Sequence, residues 1–425
     1  TSSFTADVND KTITLTEAHV LTGAISITTT DDEATTSNDA DVSITGINSG
    51  IELKLGTLNI KGDFSIATSN TVGISDEGVL TIHGTSTFVT SADNATIILD
   101  SANLFSGGTN GTVDLSTQGT SGHVTLNVGA STDLRFAASE VRGNLTVTTG
   151  SGSAVAQRGI LTVDGTTDIT ANNGASNISL NSYENVLTGA ISLKGHNSRV
   201  INSKAVELGT VDAAAMVVTA RGAITQSGVV DSNGQSTLTA QSSDTNTDYD
   251  ITLENTSNNF GGNLIVTAAN VSIKDTGTTT IAGTDVSGNY ALTTTGGVTD
   301  NGDIDIEGTT TISSSGSNII LDRSGNDFTG AVAVVGANVQ LVDANAIVLG
   351  TSDVSGTYEV VATAGGNITD SGSEVLDITG NATFTAAAGQ QVLLDNNHTF
   401  AGTVTFATPS GSLKNVTITD TTELD

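Results

Sequence analysis

The stretch FTGAVAVVGANVQLVDANAIVLGTSDVSG, residues Phe328–Gly356, consists of short apolar runs that alternate with polar residues and are separated by Gly-containing corners. Runs of this kind, rich in Val, Ile and Leu with a period of two, are typical of β-strands. Gly can take positive φ, so the corners are natural turns. The pattern continues as YEVVATA, NITDSG, EVLDITG, NATFTA and QVLLDNN, and no segment has the spacing and caps of a helix. The stretch therefore predicts a series of short strands.

The opening of this stretch recurs along the chain. LTGAIS occurs at Leu21–Ser26 and again, identical, at Leu187–Ser192. The recurring first residue is an anchor that we expect to point into the core, and the anchors are Leu21, Phe105, Leu187, Phe260, Phe328 and Phe400. Their successive spacings are 84, 82, 73, 68 and 72 residues.

Two further registers run in phase with the anchors. The first is Phe64, Leu145, Met216, Tyr290 and Tyr358, and the second is Phe88, Ile169, Leu238, Ile312 and Phe384. Self-similarity at a fixed period is the signature of repeat architectures. A translated repeat that returns each side-chain type to the same register predicts a coil.

The predicted fold is all-β: one continuous right-handed parallel β-helix, or β-solenoid, over residues 1–425. Each coil is expected to contain about three strands, so that a repeat of about 70 residues fills about three coils. The right hand is expected because crossovers between parallel strands strongly favour it. We expect no domain boundary or linker within the chain.

Composition and charge exclude several classes of protein. The chain has no Cys and no Trp, one Pro (Pro409) and 48 Gly, and only 3% of its residues are aromatic, which favours a thin core of mid-sized side chains. The formal net charge of -32 makes nucleic acid and anionic membrane surfaces unfavourable partners. No apolar run is long enough to span a membrane as a helix. The absence of Cys excludes disulfides and Cys-based metal sites.

The early repeats are about ten residues longer than the later ones, and part of the surplus is TTDDEATTSNDAD, residues Thr29–Asp41. We expect this polar segment to form a loop that leaves the coil. It brings together the carboxylates of Asp31, Asp32, Glu33, Asp39 and Asp41, and oxygen ligands at close spacing are what Ca²⁺ takes. The alternatives are a weak calcium site and a solvated acidic loop. A similar acidic group is formed by Asp244, Asp248 and Asp250. No other cofactor is expected.

The chain contains no recognisable catalytic pattern. Its five histidines are isolated and show no metal-binding spacing. Polysaccharide lyases and hydrolases that share the β-helix fold use clustered Asp, Lys or Arg on one sheet face, but Lys and Arg are sparse here. We therefore expect a protein that is not an enzyme, with a polysaccharide-active enzyme as the less favoured alternative.

The repeats Phe328–Gly356, NITDSG (Asn367–Gly372) and LTVDGTTDIT (Leu161–Thr170) resemble those of the filamentous-haemagglutinin-like adhesins, which Gram-negative bacteria export by two-partner secretion. The resemblance covers essentially the whole chain. It rests on repeated sequence motifs and not on catalytic signatures. It implies a right-handed parallel β-helix, export through a partner pore, and a role in surface adhesion or biofilms. The Asn-Pro motifs of the family's secretion domain are missing, since Pro409 is the only proline.

Two functions follow from the predicted architecture. The first is the stalk of a secreted or outer-surface adhesin, whose partners would be a host or neighbouring-cell surface and its glycan or protein receptors. The second is a subunit of an extracellular fibre, in which copies of the chain join end to end. Unpaired strand edges at the ends of a solenoid are compatible with both.

Overall fold

The computed structural model describes residues 1–16, 20–30, 40–47, 50–105, 111–242, 244–245, 247–314 and 316–422. Apart from one 3-10 turn at Asn172–Gly174, the regular structure of these residues consists of β-strands. The chain divides into two compact units, Thr1–Ala214 and Ala215–Asp425. Both are parallel β-solenoids, with about 18 turns in all. The predicted fold class is thus confirmed, while its right-handed sense and its continuity over the whole chain stay predictions.

Unit 1 contains the first 21 strands and the beginning of the next one. These strands are β1 Ser2–Ala6, β2 Ile13–Leu15, β3 Ile25–Thr29, β4 Val42–Ile47, β5 Leu53–Ile60, β6 Phe64–Thr68, β7 Gly73–Asp76, β8 Leu80–Ile82, β9 Ser86–Asp93, β10 Thr96–Phe105, β11 Val113–Gln118, β12 Val124–Val128, β13 Leu134–Phe136, β14 Ser139–Val141, β15 Leu145–Thr149, β16 Val155–Gln157, β17 Leu161–Val163, β18 Thr167–Ala171, β19 Ile178–Leu180, β20 Val186–Leu187, β21 Ile191–Asn202 and β22 Val206–Ala220.

Unit 2 contains the end of β22 and all later strands. These strands are β23 Ile224–Gln226, β24 Val230–Ser232, β25 Ser236–Ser242, β26 Thr247–Asp248, β27 Ile251–Leu253, β28 Asn259–Phe260, β29 Asn263–Ala268, β30 Val271–Asp275, β31 Thr279–Ile281, β32 Thr284–Val286, β33 Tyr290–Thr294, β34 Val298–Asp300, β35 Ile304–Ile306, β36 Thr310–Ser314, β37 Ile319–Leu321, β38 Asp327–Phe328, β39 Ala331–Gly336, β40 Val339–Asp343, β41 Ile347–Leu349, β42 Ser352–Val354, β43 Tyr358–Ala362, β44 Ile368–Asp370, β45 Leu376–Ile378, β46 Ala382–Ala386, β47 Gln391–Phe400, β48 Val404–Ala407 and β49 Asn415–Asp420.

Strands pair in parallel with their equivalents one turn away. In unit 2, Val339 lies beside Tyr358, and Tyr358 lies beside Ala382, so one turn takes about 19 to 24 residues. Among the described residues, the antiparallel pair β25–β26 is an exception that forms a small hairpin. Parallel pairing in register places each side chain next to its equivalent in the neighbouring turn. The residue chosen at one position therefore constrains the residue above and below it.

The core follows from the period of two in each strand. In β43, Tyr358, Val360 and Ala362 are buried, whereas Glu359 points outward and is exposed. At some inward positions a bulky residue lies beside a small one in the next turn, as Tyr290 does beside Thr310 and Phe64 beside Ser86. Protein interiors are close-packed, so each inward side chain limits the volume open to its neighbours in the adjacent turns.

The repeat β29–β38 in unit 2 contains ten strand segments. At three segments per turn, this repeat fills about three turns, as expected, and one additional segment. The pairing accommodates that segment because β39 lies beside both β41 and β42, as β29 lies beside both β31 and β32. One side of the coil thus divides at both of these strands, close to the anchor. Successive anchors therefore occupy equivalent surroundings that advance by one side of the coil.

A stack of glycines marks one corner of the coil, and in unit 2 it includes Gly288, Gly308 and Gly330. The N–H of Gly308 donates to the carbonyl of Gly288 over 2.9 Å. A Cβ atom on Gly308 would lie 2.4 Å from that carbonyl oxygen, and one on Gly330 would lie 2.2 Å from the carbonyl oxygen of Gly308. Only Gly allows the turns to approach this closely. This explains why the amino-acid sequence at this corner begins with Gly in successive repeats.

Substituting Gly308→Ala is therefore expected to destabilise unit 2 by about 1–3 kcal/mol, the usual cost of forcing extra atoms into packed structure. Gly50→Ala is a matched control, because a Cβ there meets nothing within 4 Å. The measurement is the urea midpoint of unfolding. Equal midpoints for the two variants would show that the glycine corner does not limit the spacing of the turns.

Candidate functional site: the polar joint beside each anchor

Two residues before each anchor from Phe105 onward lies a polar side chain that is fully buried. The five segments have the form Asn-x-Phe, Asn-x-Leu or His-x-Phe, and their polar residues are Asn103, Asn185, Asn258, Asn326 and His398, all with 0% exposure. Alternation along the strand turns the polar residue and the anchor inward and the residue between them outward. Since a buried polar group is costly unless it is hydrogen-bonded, these side chains need defined partners.

The first partner is a main-chain N–H in the preceding turn. In unit 2 the side-chain oxygen of Asn326 accepts the N–H of Ile304 over 3.1 Å, and Nδ1 of His398 accepts the N–H of Leu376 over 3.1 Å. In the three earlier joints a main-chain N–H likewise donates to the side-chain oxygen of Asn, from Leu80 to Asn103 over 2.8 Å, from Leu161 to Asn185 over 3.0 Å and from Val230 to Asn258 over 3.0 Å.

The second partner is a carboxylate or amide at the end of the strand before that N–H. Nδ2 of Asn326 donates to Asp300 over 2.6 Å, and Nε2 of His398 lies 2.9 Å from Asp370. The other pairs are Asn103 with Asp76 at 2.6 Å, Asn185 with Gln157 at 2.9 Å and Asn258 with Gln226 at 2.9 Å. We call each set of buried Asn or His, partner Asp or Gln, and bonded N–H a polar joint.

Asp and Gln satisfy the rest of the joint in different ways. Asp300 accepts the N–H groups of Asp322 and Arg323, whereas Nε2 of Gln226 donates to the carbonyl of Gly228 over 2.6 Å. Each partner thus engages the main chain as well as the buried Asn. Burial raises the pKa of Asp76, although the bonds from Asn103, Ser101 and Asp100 oppose the shift.

A second polar residue caps the anchor itself. The N–H of Phe328 donates to Asp343 in the following turn over 3.0 Å, and the N–H of Phe260 donates to Asp275 over 3.0 Å. The equivalent caps are Asn202 for Leu187 at 2.9 Å and Asp420 for Phe400 at 3.2 Å. Where one side of the coil divides, a side chain therefore takes the place of a strand partner. Burial raises the pKa of Asp343 to about 6.

The predicted anchors lie beside these joints. Phe105, Leu187, Phe260, Phe328 and Phe400 are buried, and Leu21 is half-buried. Aromatic rings extend the core from some of them, since Phe400 packs edge-on against Phe384 with ring centroids 6.1 Å apart. An anchor thus lies between a polar joint and the packed core.

The predicted calcium loop falls mostly outside the described residues, which include Asp41 but not Asp31, Asp32, Glu33 or Asp39. Oδ1 of Asp41 accepts the N–H of Asp63 over 2.7 Å, a bond between turns. Within the described ranges, no group of three or more His, Cys, Asp or Glu side chains could hold a metal ion. The calcium hypothesis for the loop stays a prediction.

The second acidic group does not converge on one point. Asp244 pairs with Arg221 at 3.5 Å, Asp248 accepts from Ser287 over 2.9 Å, and Asp250 accepts from Asn270 over 2.8 Å. Each carboxylate has its own partner on the coil, which accounts for their positions without a shared ligand.

Outside the core, polar side chains form ladders along the corners. In unit 2 Asp250 accepts from Asn270, Asn270 accepts the N–H of Asn289, and Asn289 accepts from Thr309, over 2.8 to 3.1 Å. A shallow groove runs along the first three of these residues. Its polar atoms are thus already engaged in bonds between turns.

One outward face of unit 2 has a column of carboxylates. Asp285 lies beside Asp305, and Asp305 lies beside Asp327, in three successive turns. Burial and the charges of Asp327, Asp285 and Glu307 raise the pKa of Asp305. Like charges directly opposite each other destabilise a sheet, so this column contributes surface charge at a cost in stability.

Among the described residues, no helix is long and apolar enough to cross a membrane.

The joints could have been found in the sequence, because a polar residue precedes five successive anchors at the same distance. The caps also carried a signal, since Asn202, Asp275 and Asp343 each follow their anchor by 15 residues. The predictions drawn from the apolar registers included neither the joints nor the caps.

Comparison with known proteins agrees with the observed period. A model of the family described as "Repeats of unknown function (DUF5649)" matches residues 39–112, 121–194, 195–267, 268–335 and 336–407. The chain belongs to this family. Each matched segment holds one polar joint. No curated protein and no solved structure matches the chain.

Replacing Asn326 with Ala is expected to leave the N–H of Ile304 without its acceptor and to remove one of the donors to the Asp300 carboxylate. An unsatisfied buried group costs about 1–3 kcal/mol, so the variant should lose at least about that much local stability. Hydrogen exchange of the Ile304 amide reports this loss directly. Asn301→Ala, at an exposed position in the same repeat, is the control and should change little; equal effects of the two substitutions would contradict the role of the joint.

The cap Asp343 predicts a pH dependence. Its pKa of about 6 is above the roughly 3.9 of an unfolded chain, so folding favours the protonated form. The stability it contributes is fully present below about pH 4 and is lost as the pH rises through about 6, by up to about 3 kcal/mol.

Asp343→Asn should remove this pH dependence, because Asn202 shows that an amide fits the position: its Nδ2 donates to the carbonyls of Leu187 and Ala205. Urea unfolding at pH 7.5 and pH 5 compares the gain on acidification in the two proteins. The same gain in both would mean that Asp343 does not titrate in this range.

Proposed function

We propose that this chain is the non-catalytic rod of a secreted or outer-surface bacterial adhesin of the filamentous-haemagglutinin-like kind. In this proposal the stacked turns hold a contact surface away from the cell. The partners would be a host or neighbouring-cell surface and its glycan or protein receptors. Neither a cofactor nor a reaction is part of the proposed role.

The observation that carries the proposal is that polar side chains bind turn to turn, inside and outside the core. The joints bond buried Asn or His to the preceding turn, and the corner ladder of Asp250, Asn270 and Asn289 does the same at the surface. Groups engaged in this way stiffen a stack, because each turn contacts only its neighbours and stability is the sum of those contacts.

The surface supports the same role. A formal net charge of -32 keeps a long β-structure soluble and discourages association through strand edges. Several positive charges are taken up by ion pairs with carboxylates, such as Lys54 with Glu77 at 2.6 Å and Arg323 with Asp303 at 2.8 Å. These ion pairs do not form the kind of cluster of basic and acidic residues that polysaccharide lyases use.

Labelling of intact cells tests the proposed role. An antibody raised against the purified chain is expected to label intact cells of the source organism, and external protease should remove the label. Deleting the gene should reduce attachment of the cells to surfaces or to other cells. An antibody against a cytoplasmic protein controls for lysis. Labelling that requires broken cells, or unchanged attachment of the deletion strain, would contradict the proposal.

A further inference from the structure

The polar joint of the fifth matched repeat contains an imidazole where the other four contain an amide. His398 has 0% exposure, and the Asp370 side chain that it contacts has 5% exposure. His398 also packs against the anchor Phe400, with ring centroids 5.8 Å apart. The joint is therefore closed to solvent at both of its titratable members.

The two contacts of the ring define its protonation state. The N–H of Leu376 can only donate, so Nδ1 of His398, 3.1 Å away, must accept and carries no proton. Oδ2 of Asp370 lies 2.9 Å from Nε2 and also accepts the N–H of Asn396 over 2.9 Å, so Nε2 carries the proton of the neutral ring. The closed joint thus requires neutral His398 with its proton on Nε2.

A second proton on the ring would go to Nδ1. It would then point at the N–H of Leu376, and two donors would face each other across 3.1 Å. Leu376 is the first residue of β45, its side chain is buried, and it lies beside Ser352 of β42. The start of β45 must move away from the ring before Nδ1 can be protonated, because the Leu376 N–H occupies the position that the second proton would take.

The charged groups around the ring are all acidic. Asp370 on β44 contacts it, Asp420 on β49 lies beside His398 in register, and Asp377 on β45 lies beside Thr399. Asp395 is an exposed residue of the same strand, and β46 has no titratable residue. These carboxylates attract a proton to the ring once the joint opens. What favours the open state for a protonated ring is the Leu376 N–H, which leaves no place for a proton on Nδ1 in the closed joint.

The fourth repeat provides an internal comparison. Its joint has the same kind of carboxylate, Asp300, with Asn326 in place of the histidine. The Ile304 N–H is held by an amide oxygen that takes up no proton between pH 5 and 8. Any difference in acid response between these two joints therefore comes from the imidazole.

We propose that the joint of His398 is an acid-operated opening point, which separates the start of β45 from β47 when the ring takes up a second proton, whereas the four Asn joints stay closed. The proton comes from solvent and adds to Nδ1 as the Leu376 N–H leaves it. Opening is thus coupled to the uptake of one proton. The pairing of turns in the fifth repeat would loosen in an acidic environment while the preceding repeats stay paired.

Two measurements on the full chain test the proposal. Long-range proton–nitrogen NMR spectra at pH 7.5 should show His398 as the neutral Nε2–H form; an Nδ1–H form or an imidazolium would overturn it. Hydrogen exchange, expressed as protection factors, should then be followed at Leu376 and Ile304 from pH 7.5 to pH 5. Because opening is coupled to the uptake of one proton, the protection of Leu376 should fall as the pH is lowered, by up to about tenfold per pH unit. The protection of Ile304 should not fall.

The variant His398→Asn installs the side chain that the other repeats use and keeps Asp370 and Asp343. It should remove the acid-dependent loss of protection at Leu376. The reciprocal Asn326→His should confer that loss on Ile304. Unchanged protection of Leu376 in the wild-type protein, or the same loss in His398→Asn, would overturn the proposal, and the decision does not depend on whether Asn326→His folds.

Discussion

Parallel hydrogen bonding between equivalent residues one turn apart is the constraint on which the rest of this structure depends. When Tyr358 lies beside Val339 and Ala382, the main chain determines which side chains must share space. Each inward side chain limits the volume open to its neighbours in the adjacent turns, and the corner at Gly288, Gly308 and Gly330 excludes any Cβ atom. Each of these features is a consequence of stacking a residue on its own equivalent.

The same constraint explains why buried polar groups recur at one place. The ten strand segments of β29–β38 do not fit a whole number of three-sided turns, and one side of the coil divides at β39, just after them. Main-chain N–H groups at that place lack a regular strand partner. Asn326 and Asp343 supply the missing acceptors beside Phe328. The polar joint and the cap therefore satisfy the main-chain N–H groups that a repeat of this length leaves without a strand partner, and the turns of each unit can stack continuously.

A structural role is consistent with where the polar side chains are engaged. Buried carboxylates in enzymes are candidates for proton transfer, yet Asp300 and Asp343 are bonded to main-chain N–H groups of the same coil. The histidine of the fifth joint is the one place among the five where such a network contains an imidazole. Its acid response would act on the pairing of turns, which is the property that a rod needs most.

The sequence by itself determined the strands, the period of about 70 residues and the inward position of five of the six anchors, because these depend on alternation and translation along the chain. It also predicted about three turns per repeat. It did not reveal that Asn326 meets Asp300 and Ile304, that Asp343 caps Phe328, or that the Asp41 carboxylate bonds to the next turn. Those contacts join residues of successive turns. The turns differ in length, so spacing along the chain does not identify the partners of Asn326, although three caps do follow their anchors by a constant 15 residues. Only the tertiary structure decides which polar groups come together, because burial leaves each of them no partner except the one that the neighbouring turn provides.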